Sequence, residues 1–268
     1  LEFRRVLFRS RFDAVGHLAE NGPTAWESQP ENHTLMGQVQ DLLKSYDRRY
    51  MVCESPAAPQ AFGAASSCGG AFAFDLKDPI LRAARGDTAA IAAVSQYFRT
   101  APAGMATFLA NHDSFAGDRV WNQLSGNVAQ YKMAAATYLL LPGTPFIYYG
   151  EEIGMANGAG LTGDWALRTP MSWTAQAAGF TAGVPFRALS ANIASNHVLA
   201  QRGVDGSLHS FYKTMIGLRK RLPSLAQGDY SGAWAQGQAM GFQRSLGSER
   251  TMVLYNYGLN PQPVSLSG

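Results

Sequence analysis

Three short apolar runs in this chain each deliver polar or acidic residues at their ends, and that repeated arrangement constrains the fold more than any other feature. Tyr50-Met51-Val52-Cys53 leads into Glu54, and Thr107 to Ala110 leads into Asn111, His112 and Asp113. Pro145-Phe146-Ile147-Tyr148-Tyr149 leads through Gly150 into Glu151 and Glu152. Runs of this length read as strands, and Gly70–Phe74 alternates like a further one. Between them the apolar residues recur at helical spacing over 26–46, 87–98 and 127–140, with Leu35, Val39, Leu42, Leu43 and Tyr46 as the expected inward face of the first. Alternating strands and helices predict a parallel sheet. In a parallel α/β barrel chemistry sits at the carboxyl ends of the strands, so these polar residues are the ones expected to face substrate. A competing reading makes Asp113 a loop residue that caps a helix or turn.

One further carboxylate, Asp13, fits the same scheme. Arg11 stands two residues before Asp13, so in an extended segment both side chains point to one face. A neighbouring cation lowers a carboxyl pKa and keeps it ionised, as a nucleophilic carboxylate requires. The R-x-D pattern is also common in plain surface ion pairs. Glu54, beside a buried strand end, should have a raised pKa, as a general acid requires; the alternative is a glutamate salt-bridged in a loop.

The chain has 268 residues, 46% hydrophobic and 15% charged, enough to bury a sizeable core. Its net charge of +3 is scattered, with no basic stripe, so neither nucleic acid nor a membrane surface is an expected partner. No apolar run approaches the roughly 20 residues that span a bilayer. Residues 1–10, LEFRRVLFRS, resemble read-through of a cloning adapter and are set aside as a non-native leader. The natural beginning is therefore expected to be missing, and with it any targeting signal. Gly154 to Ser195 reads as a long excursion shaping access to the site. Ser207 to Leu222 is an amphipathic helix stopped by Pro223. Beyond it the pattern turns to strand alternation over 239–244 and 251–257, so a separate β domain is expected to start near Asp229.

R-F-D-A at Arg11 to Ala14, V-C-E at Val52 to Glu54, N-H-D at Asn111 to Asp113 and GTPFIYYGEEIGM at Gly143 to Met155 together resemble the α-amylase family, glycoside hydrolase family 13. The resemblance implies an α/β fold: a partial (β/α)8 TIM barrel, strands four to eight, over 11–226, followed by the start of an all-β C-terminal domain, a truncated β-sandwich, over 227–268. It implies that Asp13 is the nucleophile of a retaining hydrolase, that Glu54 is the general acid and base, and that Asp113 binds sugar hydroxyls. Arg11 would orient Asp13, His112 would bond the sugar being cleaved, and His17 would line the neighbouring subsite. The expected substrate is starch or a maltooligosaccharide, the second also suggested by Arg168-Thr169-Pro170-Met171-Ser172-Trp173. No cofactor is implied for the chemistry and no metal ligand is expected here, although the complete enzyme could hold a structural calcium. A monomer is expected. Because the family's first three strand-helix units and its early Asp and Asn-His motif are not seen in this sequence, the chain is expected to be a fragment, inactive alone; starch hydrolysis by the purified chain would refute that.

Gly16 stands where many relatives carry a basic residue, and Ser55 where an aromatic or aliphatic residue is frequent, which leaves subsite preference open. Glu151, Glu152 and Arg168 are expected to hold loops. A transglycosylase or isomerase of the same family is the alternative function, and a non-catalytic binding module a further one. Cys53 and Cys68 could be disulfide-bonded, which would fit an exported enzyme, or remain buried free thiols.

Overall fold

The structure, a computed structural model, describes residues 9–176, 179 and 181–264. Strand β1 (Arg9–Phe12) pairs in parallel with β2 (Tyr50–Cys53), Arg11 opposite Val52. Residues Arg9 and Ser10, part of the segment set aside as a leader, are thus in the sheet, while residues 1–8 lie outside the described residues. From β2 the parallel series continues through bridges of Cys53 with Ala71 and Phe72 with Ala106. Thr107 N then donates to Thr144 O at 3.1 Å and Phe146 N to Thr107 O at 2.8 Å. Five segments therefore lie side by side in chain order.

The strands expected over 70–74, 107–110 and 145–149 are shorter than the sequence suggests, reduced to single bridges or a pair of backbone bonds. Pro145 has no N–H to give to a ladder. Backbones also touch where these segments begin. A Cβ on Gly104 would stand 1.9 Å from Gly69 O, and one on Gly143 1.8 Å from Met105 O, so only glycine admits the approach.

Helix α1 is Pro30–Lys44, not 26–46. Proline at the first helical position supplies the fixed φ and lacks only an N–H that would be orphaned anyway, so the helix starts there and Trp26 is left outside it. The buried face also differs from the expected one: Asn32, Met36, Gln40 and Leu43 turn inward, and Leu35 and Leu42 outward. Two apolar stripes compete in this segment, and a tertiary contact chooses between them, because Asn32 Nδ2 donates to Gly16 O at 2.6 Å in the interior.

Helix α2 (Phe74–Ala84) was not legible in the sequence, since Pro79 sits inside it and Phe74 fits a strand equally well. The next helices stop and start where their residues demand. Asp87 caps α3 (Thr88–Tyr97), accepting from Ala90 N at 3.0 Å, and Asn127 caps α4 (Val128–Leu140), accepting from Gln130 N at 3.1 Å. Ser207 caps α5 (Leu208–Arg221) through Ser210 N at 3.1 Å. No helix among the described residues is long and apolar enough to cross a membrane.

The C-terminal strands β3 (Asp229–Gln236), β4 (Ala239–Leu246) and β5 (Glu249–Asn256) form one antiparallel sheet with β4 in the middle. Its inner face joins the main core through Met240, Phe242 and Val253. Tyr230 OH bonds Ser95 O at 2.8 Å on α3, and Tyr255 OH bonds Ala136 O at 3.0 Å on α4. At the opposite end of the series, β2 is the only strand beside β1 among the described residues. An opening of about 730 Å³ lies there, lined by Arg9, Arg11, Tyr50, Val52, Thr144 and Phe146.

Behind the last parallel segment, Glu151 Oε1 accepts from Tyr138 OH at 2.7 Å and Tyr212 OH at 2.8 Å, and Tyr131 OH donates to Glu151 O at 2.8 Å. This carboxylate ties α4 and α5 to the segment's end. Complete burial pushes its pKa up to about 7, opposed by the tyrosine hydrogen bonds and Arg119 and assisted by Glu152. The folded protein then keeps a proton that the unfolded chain has already lost. Stability from this group is full below the ordinary glutamate value of 4.5 and falls as pH rises through about 7. Between pH 5 and 7 the loss should be roughly 2 kcal/mol, and Glu151→Gln should remove that slope. Urea unfolding at both pH values checks it; parallel slopes in variant and parent would sink the assignment.

Candidate active site

Arg11 is in β1 and Asp13 follows it directly, so the extended chain turns both side chains one way. Arg11 Nη1 meets Asp13 Oδ1 at 2.6 Å. Its Nη2 lies 2.6 Å from Glu54 Oε1, an ion contact without hydrogen-bond alignment, and 4.0 Å from Asp113 Oδ2. One guanidinium gathers all three carboxylates.

The turn after β1 aims backbone at the same place. Ala14 adopts a left-handed φ of 47°, which costs an alanine on the order of 1 kcal/mol. In that conformation its N–H reaches Glu54 Oε2 at 3.4 Å. Val15 N donates to Glu54 O at 3.1 Å and Glu54 N to Phe12 O at 2.9 Å, which locks the ends of β1 and β2 together. Cys53, the residue before Glu54, is bonded to Cys68, which settles the two readings of these cysteines in favour of the disulfide.

Glu54 is buried, whereas the side chain of Asp13 is 70% exposed. Burial lifts the Glu54 pKa above the usual glutamate value, and the neighbouring Asp13 carboxyl lifts it further, while the charge of Arg11 opposes both. Two carboxyl groups in unlike surroundings can take unlike protonation states, one suited to give a proton and one to attack.

Asp113 is not occupied as a cap. Its N–H donates to Asn111 Oδ1 at 2.8 Å, closing a local turn, and its carboxylate makes no bond to the short 3₁₀ turn Ser114–Ala116 that follows. Instead Asp113 Oδ1 meets Arg168 Nη2 at 2.5 Å and Oδ2 meets His112 Nε2 at 3.2 Å. The sequence reading assigns Arg168 to loop support, and the structure adds this contact with a site carboxylate. Arg168 also donates to His112 O at 2.8 Å and pairs with Asp164 at 2.8 Å, while Asp164 Oδ1 accepts from Ser114 N at 2.8 Å. Asp164 gives no signal in the sequence, and Arg168 stands 55 residues from its partner.

A cleft of about 200 Å³ is lined by Arg11, Glu54, Asn111, His112, Phe108 and Tyr148 among others. The larger opening beside β1 has no carboxylate in its wall. Of the expected site residues His17 alone stands outside the charged cluster: its ring stacks on Trp26 at 5.2 Å, and Nε2 lies 3.6 Å from Glu27 Oε1. Among the described residues no group of three or more His, Cys, Asp or Glu could hold a metal ion.

Comparison with known proteins bears on this geometry. The family model described as alpha amylase, catalytic domain, matches residues 10–228. The trehalose synthase/amylase TreS of Mycobacterium tuberculosis is 26% identical over 96% of this chain and 51% of its own length. Alpha-amylase 3 of Dictyoglomus thermophilum is 31% identical over 56% of this chain and 30% of its own length. This chain thus spans about half, or less, of the length of the curated relatives it matches. Among solved structures, the alpha-glucosyl transfer enzyme XgtA superposes with a TM-score of 0.80 at 22% identity, covering 100% of this chain and 59% of that one. Trehalulose synthase MutB superposes with a TM-score of 0.78 at 20% identity, covering 97% of this chain and 59% of that one. At these identities the likeness shows the fold, that of the family's TIM-barrel enzymes.

Proposed function

Since this chain belongs to the α-amylase family, glycoside hydrolase family 13, we propose that it carries the catalytic carboxylates of a retaining α-glucosidic-bond-cleaving enzyme, acting on α-1,4-linked starch or maltooligosaccharides. The observation that supports this most is the single guanidinium of Arg11 holding Asp13 and Glu54 while standing 4.0 Å from Asp113. Asp13, paired with that cation and open to solvent, attacks the anomeric carbon. Glu54 gives its proton to the leaving oxygen as the glycosidic bond breaks. Glu54, now ionised, takes a proton from water, which displaces Asp13 from the sugar and restores both groups. Asp113, steadied by Arg168 and His112, accepts hydrogen bonds from sugar hydroxyls. In this reading the five parallel segments correspond to strands four to eight of the barrel. The Cys53–Cys68 bond supports a place in an oxidising, exported compartment.

Transfer to a second sugar in place of water is the second reading. It is favoured by the names of two relatives, a trehalose synthase/amylase and an alpha-glucosyl transfer enzyme. Product analysis on maltoheptaose, starch and sucrose separates the two, with proton NMR following the anomer first released. An α-configured first product is expected. A β-configured one, or no turnover from any folded polypeptide that carries this cluster intact, overturns the proposal.

A further inference from the structure

Gly16, three residues after Asp13, and Ser55, the residue after Glu54, meet in space. A Cβ on Gly16 would lie 3.5 Å from Ser28 Oγ, 3.6 Å from Glu27 Cγ and 3.7 Å from Ser55 Oγ. A single added carbon would sit there at ordinary contact with all three. The absence of a side chain at 16 and the short one at 55 let segment 26–28 settle directly on the turn that follows Asp13. Ser28 N then donates to Gly16 O at 2.7 Å.

That docking fixes what the loop presents. Trp26 lies on His17 with ring planes 11° apart, and Glu27 Oε1 faces His17 Nε2 at 3.6 Å. Trp26 is 50% exposed although one of its faces is covered by His17, so a large apolar surface stays open to solvent. The loop stands on the Glu54 side of the cluster, because Ser55 follows Glu54 and Val15 N bonds Glu54 O at 3.1 Å. A general acid stands beside the leaving group it protonates, so Glu54 marks the side on which the departing or accepting sugar sits.

We propose that Trp26 is a specificity-determining platform on which the leaving or accepting glucosyl ring stacks, with Glu27 accepting a hydrogen bond from one of that ring's hydroxyls. This rests on the function proposed above and names the ligand of its leaving-group side: a gluco-oligosaccharide with at least one ring beyond the one held by Asp113 and His112. Sugar rings present an apolar C–H face that suits an open indole, and the carboxylate supplies the directional contact.

The test uses the full chain with Asp13→Asn, so that bound oligosaccharide stays intact, titrated with maltotriose and with glucose by calorimetry. Trp26→Ala should weaken maltotriose about tenfold and leave glucose unchanged, Trp26→Phe should restore most of the affinity, and Glu27→Gln should weaken maltotriose alone. Trp26 is half exposed, so the variant should melt with the parent, which a thermal scan verifies. Maltotriose affinity unaffected by Trp26→Ala, in a chain where Asp113→Asn abolishes binding of both sugars, overturns the platform and leaves the proposed function standing. A parent that binds neither sugar overturns both.

Discussion

Replacing Glu54 with glutamine should lower kcat on maltoheptaose by about 10²–10⁴-fold, the usual worth of a positioned general acid, in whichever polypeptide carrying these residues turns the substrate over. The expectation follows from where Glu54 sits. It is buried, takes up a proton more readily than an ordinary glutamate because of that burial, and stands against the exposed Asp13. Glutamine keeps the shape and an acceptor oxygen for Ala14 N but has no proton to give. The loss should therefore depend on the leaving group. With α-glucosyl fluoride, whose fluoride departs without protonation, formation of the glycosyl intermediate should be far less affected. Equal losses on both substrates would show that Glu54 is not the acid. The pH profile carries the same information, since the limb on which activity falls with rising pH should lie above the ordinary glutamate range and vanish in the variant.

Reducing the Cys53–Cys68 bond should cost about 3 kcal/mol of folding stability, the loop-closure value for roughly 15 residues, which matches the separation in this chain. Cys53 ends β2 and immediately precedes Glu54, and both cysteines are buried, so the loosened segment is the one that holds the acid. Guanidinium unfolding with and without a phosphine reductant measures the difference, and Cys68→Ala, which leaves β2 untouched, should reproduce it. An unchanged midpoint in both experiments would mean that packing around Phe62 and Met51 already fixes this segment without the bond.

The charged cluster was more legible than the strands that carry it. Glu54, His112 and Asp113 could be singled out because each closely follows an apolar run, and Arg11 and Asp13 because they form an R-x-D pair; Asp13, Glu54 and Asp113 gather around Arg11, with His112 against Asp113. His17, named only through the family resemblance, stands apart from that cluster, stacked on a tryptophan that the sequence placed inside a helix. Arg168 was visible but assigned a lesser task, because nothing within its own segment says that Asp113 will be its partner. The parallel strands came out shorter than their apolar runs, since burial needs only the run, whereas a ladder also needs N–H groups and spacing that Pro145 and the close glycine contacts do not provide.

By itself the sequence determined whatever is decided between near neighbours. Helix starts at Asp87, Asn127 and Ser207 follow from three side-chain caps, and the R-x-D pair follows from the two-residue period of an extended chain. Only the tertiary structure decided which stripe of α1 faces inward, that Glu151 disappears among three tyrosines, that Cys53 finds Cys68, and that Glu27, Ser28 and Ser55 meet at Gly16. Backbone preference and capping act over a few residues and are complete before the chain packs. Burial, ion pairing and steric allowance at a distance exist only once segments far apart in sequence have been brought into contact.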